Sequence, residues 1–409
     1  MAIVVPESNT HPAFAGKSSL RKSRIASLDI LRGLCIVLMA LDHTRMYFGP
    51  KTLFLDPTDL ATTTPLLFFT RWITHFVAPA FVFLAGTGAF LYGNRVGTKA
   101  LSRFLLTRGL WLLVIEFTVV TFGWTFDPTF SALWVQVIWA IGFSMICLSA
   151  IIYLPRSAIF AIGIVLTCFH HVLDPIQTSG NSLISVIWNI LHQHTVVKLA
   201  PHFALNITYP ALPWIGIMCL GYLLGTLYQS DYDPRRRRRW LVGLGSLALL
   251  LFLVLRAVQI WAGTERIAYD SALYQLMDFV NMRKYPPSVF FSLNALGQTL
   301  LLLAWFDSVR NRVTEFLEVF GRVPFFFYVV HIYFVHALAF IGLAVAGWDL
   351  GEWVLTTESY TSQSLATHGF GLGVVFAVWV FVVVLLYPLC RWYGRYKAAH
   401  RDRWWLSYL

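Results

Sequence analysis

Leu28-Asp-Ile-Leu-Arg-Gly-Leu-Cys-Ile-Val-Leu-Met-Ala-Leu-Asp-His43 is the stretch on which the fold turns. It opens the first long apolar run, yet it carries Asp29, Arg32, Asp42 and His43. Arg32 and His43 are eleven positions apart, about three helical turns, so their side chains share one face. Along the axis they are separated by roughly 16 Å. A cation and an imidazole on one face of a membrane helix are costly to keep there, and ionisable residues in such a place mark a functional site by default. The layout suits an anionic ligand at one membrane face and proton chemistry toward the other.

Composition supports a membrane setting. The 409 residues are 57% hydrophobic and 12% charged, with a mean hydropathy of +0.65. A soluble domain carries about 25% charged residues. The net charge of +11 does not imply nucleic acid, because the basic residues sit in short segments beside apolar runs. The expectation is an all-α polytopic membrane protein of about ten transmembrane helices. Spans are expected near 27–48, 66–93, 104–122, 131–153, 157–173, 209–228, 240–261, 287–306, 322–343 and 369–390, each near the roughly 20 residues a bilayer needs. The amphipathic segment 183–199, with His192, His194 and Lys198, reads as an interfacial helix, an eleventh span being the alternative.

The Lys and Arg residues orient these spans. With the N-terminus cytoplasmic, about 22 fall in inside segments and about 7 outside, the bias expected of a membrane protein. Both termini are then cytoplasmic. Residues 1–24 form a polar cytoplasmic N-terminus without a cleavable signal, 25–393 the transmembrane domain, and 394–409 a basic cytoplasmic tail. The five arginines 235–239 read as a topology anchor beside anionic lipid. Cys35, Cys147, Cys168, Cys219 and Cys390 lie in or at the end of apolar runs without CxxC spacing, and read as small buried hydrophobes. Long outer segments near 174–208, 262–286 and 344–368 are the places for acceptor recognition.

Several side chains are placed for chemistry. A neutral His43 or His75 in a pocket of low polarity can take a proton from a hydroxyl or amine. Asp42 adjoins His43 but points about 100° away on a helix, so a carboxylate from another span is the competing partner. Asp29 and Arg32 are three apart and can pair, while Arg32 can also grip phosphate with its fork. Gly33 permits close approach of a backbone or a ligand. Glu116 lies mid-span, two turns after Arg108, and needs a partner at that depth. Gly86 and Gly88 read as a helix contact. His331 and His336 are turned about 140° apart and do not form an i,i+4 metal pair. Asn294 and Gln298 share a face, either bonding across helices or lining a cavity. No catalytic metal is expected. One central cavity is expected to gather Arg32, His43, His75, Glu116, His331 and His336.

Arg24-Ile-Ala-Ser-Leu-Asp-Ile-Leu-Arg-Gly33, Leu41-Asp-His-Thr-Arg45 and His75-Phe-Val-Ala-Pro-Ala-Phe-Val-Phe-Leu-Ala-Gly-Thr-Gly-Ala-Phe-Leu91 together resemble bacterial members of the heparan-α-glucosaminide N-acetyltransferase catalytic-domain family. The likeness is strongest over about the first 100 residues; Lys284-Tyr-Pro-Pro-Ser288 and the His331/His336 span also look like that family. The Arg-x10-His spacing is similar to that of membrane acyltransferases of the acyltransferase-3 group. The resemblance implies an inner-membrane enzyme that moves an acetyl group from cytosolic acetyl-CoA to a sugar at the outer face. Arg32, with Asp29, Gly33 and Arg108, would serve the CoA end, and His43 would be the base. The lysosomal enzyme of the family carries its catalytic His between the first two spans. Residues 44–74 hold no His here, which leaves His43 or His75. The chain also lacks that enzyme's lumenal N-terminal domain, so a bacterial glycan or glycolipid is the expected acceptor rather than heparan sulfate. The partners are then the bilayer and that acceptor, with a homodimer one option for assembly. A solute or lipid-linked-glycan transporter without catalysis is the alternative, and its inverted repeats are not visible in the sequence.

The charge count makes a direct test of topology. Reporter fusions after residues 230 and 265 are expected on opposite sides of the membrane; the same side for both would overturn the assignment.

Overall fold

Ala26–Phe48 forms one 23-residue helix around which much of the molecule is organised. No proline interrupts it, and it stops where Gly49 turns extended ahead of Pro50, the conformation a following proline favours. The computed structural model describes residues 25–49, 56–263, 269–362, 368–400 and 402–407. The expected polar segment 1–24 lies outside the described residues, as do Lys51, Arg266 and Arg401.

The first helix packs against helices Arg312–Gly321, Pro324–Ala346, Leu372–Ala399 and Val289–Phe306, and against the Val77–Val96 helix. Its crossing with Arg312–Gly321 is close. A Cβ on Gly33 would stand 1.8 Å from the Leu317 carbonyl oxygen, and one on Gly321 would stand 1.7 Å from that of Asp29. Only glycine lets the two backbones meet there. Gly86 likewise faces the backbone of Met218, the helix contact expected of it.

Eight described helices are long and apolar enough to cross a membrane: Pro65–Val96, Thr98–Thr125, Arg156–Leu173, Ala211–Tyr228, Pro234–Trp261, Val289–Phe306, Pro324–Ala346 and Leu372–Ala399. The other two expected spans are also helical but differ in kind. Ala26–Phe48 is long enough and carries Asp29, Arg32, Asp42 and Arg45. Val137–Ile151 has 15 residues, about 22 Å, against a hydrocarbon core of about 30 Å. Leu247, Leu250, Val254 and Val258 of Pro234–Trp261 stay exposed, as a lipid-facing surface requires.

The all-α expectation needs one correction. Three short strands, β1 (Ala132–Val135), β2 (Thr195–Ala200) and β3 (Phe203–Ile207), form a sheet in the order β1-β3-β2. β1 runs parallel to β3 with Ala132 opposite Ala204, and β2 pairs antiparallel with Thr195 opposite Ile207. The expected span 131–153 therefore begins as a strand. The expected interfacial helix 183–199 stops at His192, because the β-branched run Thr195-Val-Val pairs better in a sheet. At ten residues, about 15 Å, Leu183–His192 is too short to be an eleventh span.

Two irregularities position chemistry. The Pro65–Val96 span is broken between Trp72 and Val77, and His75 sits in the break. In Thr98–Thr125 the turn Glu116–Val120 is π-helical, a widening often tied to function. Gly33→Val and Gly321→Val are each expected to destabilise the protein by about 1–3 kcal/mol or more through overpacking. Gly243→Ala, where a Cβ meets nothing within 4 Å, serves as the neutral comparison in thermal melts of the purified protein.

Candidate active site

Asp42 is held from three sides. Its Oδ1 accepts from Arg45 at 2.7 Å and from the Thr74 hydroxyl at 3.1 Å, and its Oδ2 accepts from Arg71 at 2.5 Å. Arg71 also donates to the Tyr285 hydroxyl at 3.3 Å. The carboxylate joins the first helix to the broken second span, and through Arg71 to the 284–288 loop. No hydrogen bond joins Asp42 to His43 among the described residues. Asp42 is thus bonded to Arg45, Arg71 and Thr74 instead of to His43, as its angle on the helix suggests.

His43 finds its partner on another helix. Its Nδ1 lies 2.8 Å from Nε2 of His331, with the rings stacked at 5.0 Å. His331 Nδ1 lies 2.9 Å from the Phe327 carbonyl oxygen. A carbonyl can only accept, so with both rings neutral His331 carries its proton on Nδ1 and accepts on Nε2. His43 must then donate from Nδ1, which leaves its Nε2 with a lone pair. The chain of bonds fixes a base in one tautomer, as a carboxylate does in the serine-hydrolase triads. Trp124 packs edge-on against His43 at 4.7 Å, and Tyr328 lies at 6.2 Å.

Two cavities lie nearby, neither of them lined by His43 or His331 themselves. One, of about 360 Å³, is lined by Arg32 and Arg108 at its polar end, by apolar residues such as Ile36, Leu84 and Ile141, and by Tyr328 near His43. Arg32 is braced by Asp29 at 3.0 Å and reaches the Leu84 carbonyl oxygen at 3.4 Å. The other, of about 770 Å³, is polar and is lined among others by Asp56, Arg71, His75, Asp174, Lys284 and Tyr285. In the loop that lines it, burial pushes the Lys284 ammonium below its ordinary value and Arg71 adds to the effect. Burial acts to raise the neighbouring Tyr285 hydroxyl, but Lys284 and Arg71 outweigh it and hold the group below its ordinary value.

The expected single cavity is thus two, and the residues assigned to it divide. Arg32 and Arg108 share the first cavity, His75 lines the second, and His43 and His331 line neither, although His43 stands beside Tyr328 of the first. The other assignments fall elsewhere. Gly33 faces the Leu317 backbone instead of a ligand. One oxygen of Glu116 accepts from the Trp139 amide at 3.2 Å, so Glu116 caps the start of Val137–Ile151 across the bundle, where amides are otherwise unpaired. His336 sits between the carbonyl oxygens of Gly123 at 3.0 Å and Trp353 at 2.9 Å and ties three segments together. Asn294 and Gln298 line neither cavity.

Sequence reading missed Tyr328 and Trp124. Tyr328 lies three residues before His331, hence on the same helix face, and that spacing was the available signal. Trp124 carries no such mark. It also missed that His170, Asp174 and His192 converge beside the larger cavity, since 18 positions separate Asp174 from His192.

Comparison with known proteins bears on what this arrangement does. A family model described as heparan-alpha-glucosaminide N-acetyltransferase, catalytic, matches residues 24–257. The match covers more than half of the chain and includes Arg32, Asp42, His43, His75, Arg108 and Glu116, but ends before His331. No curated protein matches the chain significantly. Membership implies acetyltransferase activity, and the apolar helices make the protein an integral membrane one. The chain belongs to the heparan-alpha-glucosaminide N-acetyltransferase catalytic family.

Proposed function

We propose that the protein transfers an acetyl group from cytosolic acetyl-CoA to a sugar or glycolipid hydroxyl or amine at the outer face of the bacterial inner membrane. The observation that carries this reading is the lone pair on His43 Nε2, fixed by His331, on a ring that packs beside Tyr328 at the wall of the apolar cavity. The narrow cavity with Arg32 and Arg108 suits the phosphates and extended arm of CoA. Guanidinium forks match phosphate, and the roughly 16 Å from Arg32 to His43 lets a thioester reach the base while the nucleotide stays at the cytosolic end. The wider polar cavity suits a sugar, whose hydroxyls need donors and acceptors in number.

In the proposed reaction the acceptor oxygen or nitrogen attacks the thioester carbonyl as His43 Nε2 takes its proton. The imidazolium is stabilised by the bond from its Nδ1–H to His331. The C–S bond then breaks, and the CoA thiolate leaves with the proton returned by His43. The products are the acetylated acceptor and CoA, and no net proton is gained or lost by the protein. Asp42, held by Arg45, Arg71 and Thr74, positions the base without exchanging protons. His75 lines the acceptor cavity and has a buried Nδ1 without a hydrogen-bond partner among the described residues, which makes it the second candidate for the base.

Arg32→Ala is expected to weaken acetyl-CoA binding measured by calorimetry, with Arg32→Lys a poor replacement because the two-pronged contact is lost. Unchanged affinity in Arg32→Ala would remove the residue from the donor site.

His43→Ala is expected to lose on the order of 10²–10⁴ in turnover while still binding CoA. His331→Gln, whose amide oxygen can accept the same hydrogen bond, is expected to keep more activity than His331→Ala. Turnover assays on the three variants and on His75→Ala check this. Near-normal His43→Ala beside an inactive His75→Ala would move the role to His75.

A further inference from the structure

The end of the Arg156–Leu173 span and the segment after it carry an unassigned cluster. His170, Asp174 and His192 each offer a ligand atom, and the three atoms lie within 4.8 Å of one another. His192 Nε2 is 3.0 Å from Asp174 Oδ1. His170 Nε2 is 2.9 Å from the Pro287 carbonyl oxygen, so in the neutral ring Nε2 carries the hydrogen and Nδ1 is bare. That Nδ1 is buried with no hydrogen-bond partner among the described residues, and His170 is 3% exposed. His192 is 2% exposed and its Nδ1 is likewise buried and unpartnered.

A buried imidazole that donates one N–H to a backbone carbonyl and keeps its other nitrogen bare, next to a second imidazole and a carboxylate, has the make-up of a metal-ligating histidine with its outer support. We infer that His170, His192 and Asp174 form a site for a divalent transition cation of the zinc type. The donor set of two imidazoles and one carboxylate suits such an ion, whereas calcium and magnesium prefer all-oxygen shells. Tetrahedral zinc holds its ligand atoms about 3.3 Å apart, so closure requires side-chain movements of about 1 Å.

Position gives the site a use. It would pin the end of the Arg156–Leu173 span to helix Leu183–His192. Through Pro287 it would also brace the loop that sets Lys284 and Tyr285 against the larger cavity. A fourth ligand position is left for water or an acceptor hydroxyl, on the side where Asp174 and His171 line that cavity. One group opposes the ion. Arg283 donates to Asp174 Oδ2 at 2.8 Å and contacts His171 Nδ1 at 2.9 Å. Its side chain is half exposed, so it can swing away when the cation enters. His171 also faces Asp174, at 3.2 Å, and is a reserve ligand.

The test uses the full-length, tag-free protein in detergent, stripped with chelator and titrated with Zn²⁺. Wild type is expected to retain one equivalent of zinc after dialysis and to melt several degrees higher with it, as binding to the folded state alone requires. His170→Ala and His192→Ala are each expected to weaken binding by about 100-fold or more, since even outer-shell losses reach that size. Asp174→Asn tests the carboxylate with little change of shape. Arg283→Ala, which removes the competing cation, is expected to tighten binding. The melting temperature of each metal-free variant shows whether it has folded. No retained zinc in wild type, or equal retention in a folded His170→Ala/His192→Ala double variant, would overturn the site. The readout is independent of acetyl transfer.

Discussion

A carboxylate held between two guanidiniums is the interaction on which the arrangement of the first two spans rests. Asp42 accepts from Arg45, Arg71 and Thr74, and Arg45 is itself 1% exposed. Buried ions are tolerated only when paired and hydrogen-bonded, and removing one partner of such a cluster costs about 3–5 kcal/mol. The cluster therefore cannot relax independently of the chain that carries it. It holds the end of the first helix against the break in the second span. Through Tyr285 it also holds the loop that walls the larger cavity. The residue after Asp42 is His43, so fixing the carboxylate fixes where that imidazole stands.

The histidine pair follows from that placement and from one backbone carbonyl. Phe327 lies one turn before His331 on the same helix and takes its Nδ1 proton. The consequence passes through His331 to His43, whose Nε2 is left as an acceptor. A membrane interior is a poor place for an imidazole with an undefined tautomer, because a ring nitrogen facing the wrong partner is costly to bury. Three atoms in sequence, a carbonyl oxygen and two ring nitrogens, remove that ambiguity without using a carboxylate.

The helical frame departs from regularity where these groups need it. The second span breaks to present His75, and the π-helical turn in the third carries Glu116 to the first amides of Val137–Ile151. That helix is shorter than the hydrocarbon core, and its unpaired N-terminal amides would be costly in lipid. The carboxylate satisfies one of them, and β1 of the small sheet β1-β3-β2 comes directly before the helix in sequence.

The sequence determined what composition and period can encode. A membrane protein of many helices, Arg32 and His43 on one face of the first helix, Gly86 as a helix contact and the family likeness were all readable from local spacing and residue type. Asp42's failure to partner His43 was also legible, because a helix turns about 100° per residue. Contacts between distant segments were not. The choice of His331 for His43, of Arg71 for Asp42, of Trp139 for Glu116 and of His192 for Asp174 joins residues 18 to 288 positions apart. The same is true of the division of one expected cavity into two and of the sheet that replaced the end of segment 183–199. Helical and strand periods are set by each residue's own backbone and near neighbours. Pairing across the bundle is set by the need to bury every charge and polar group at once, and only the assembled chain meets that condition.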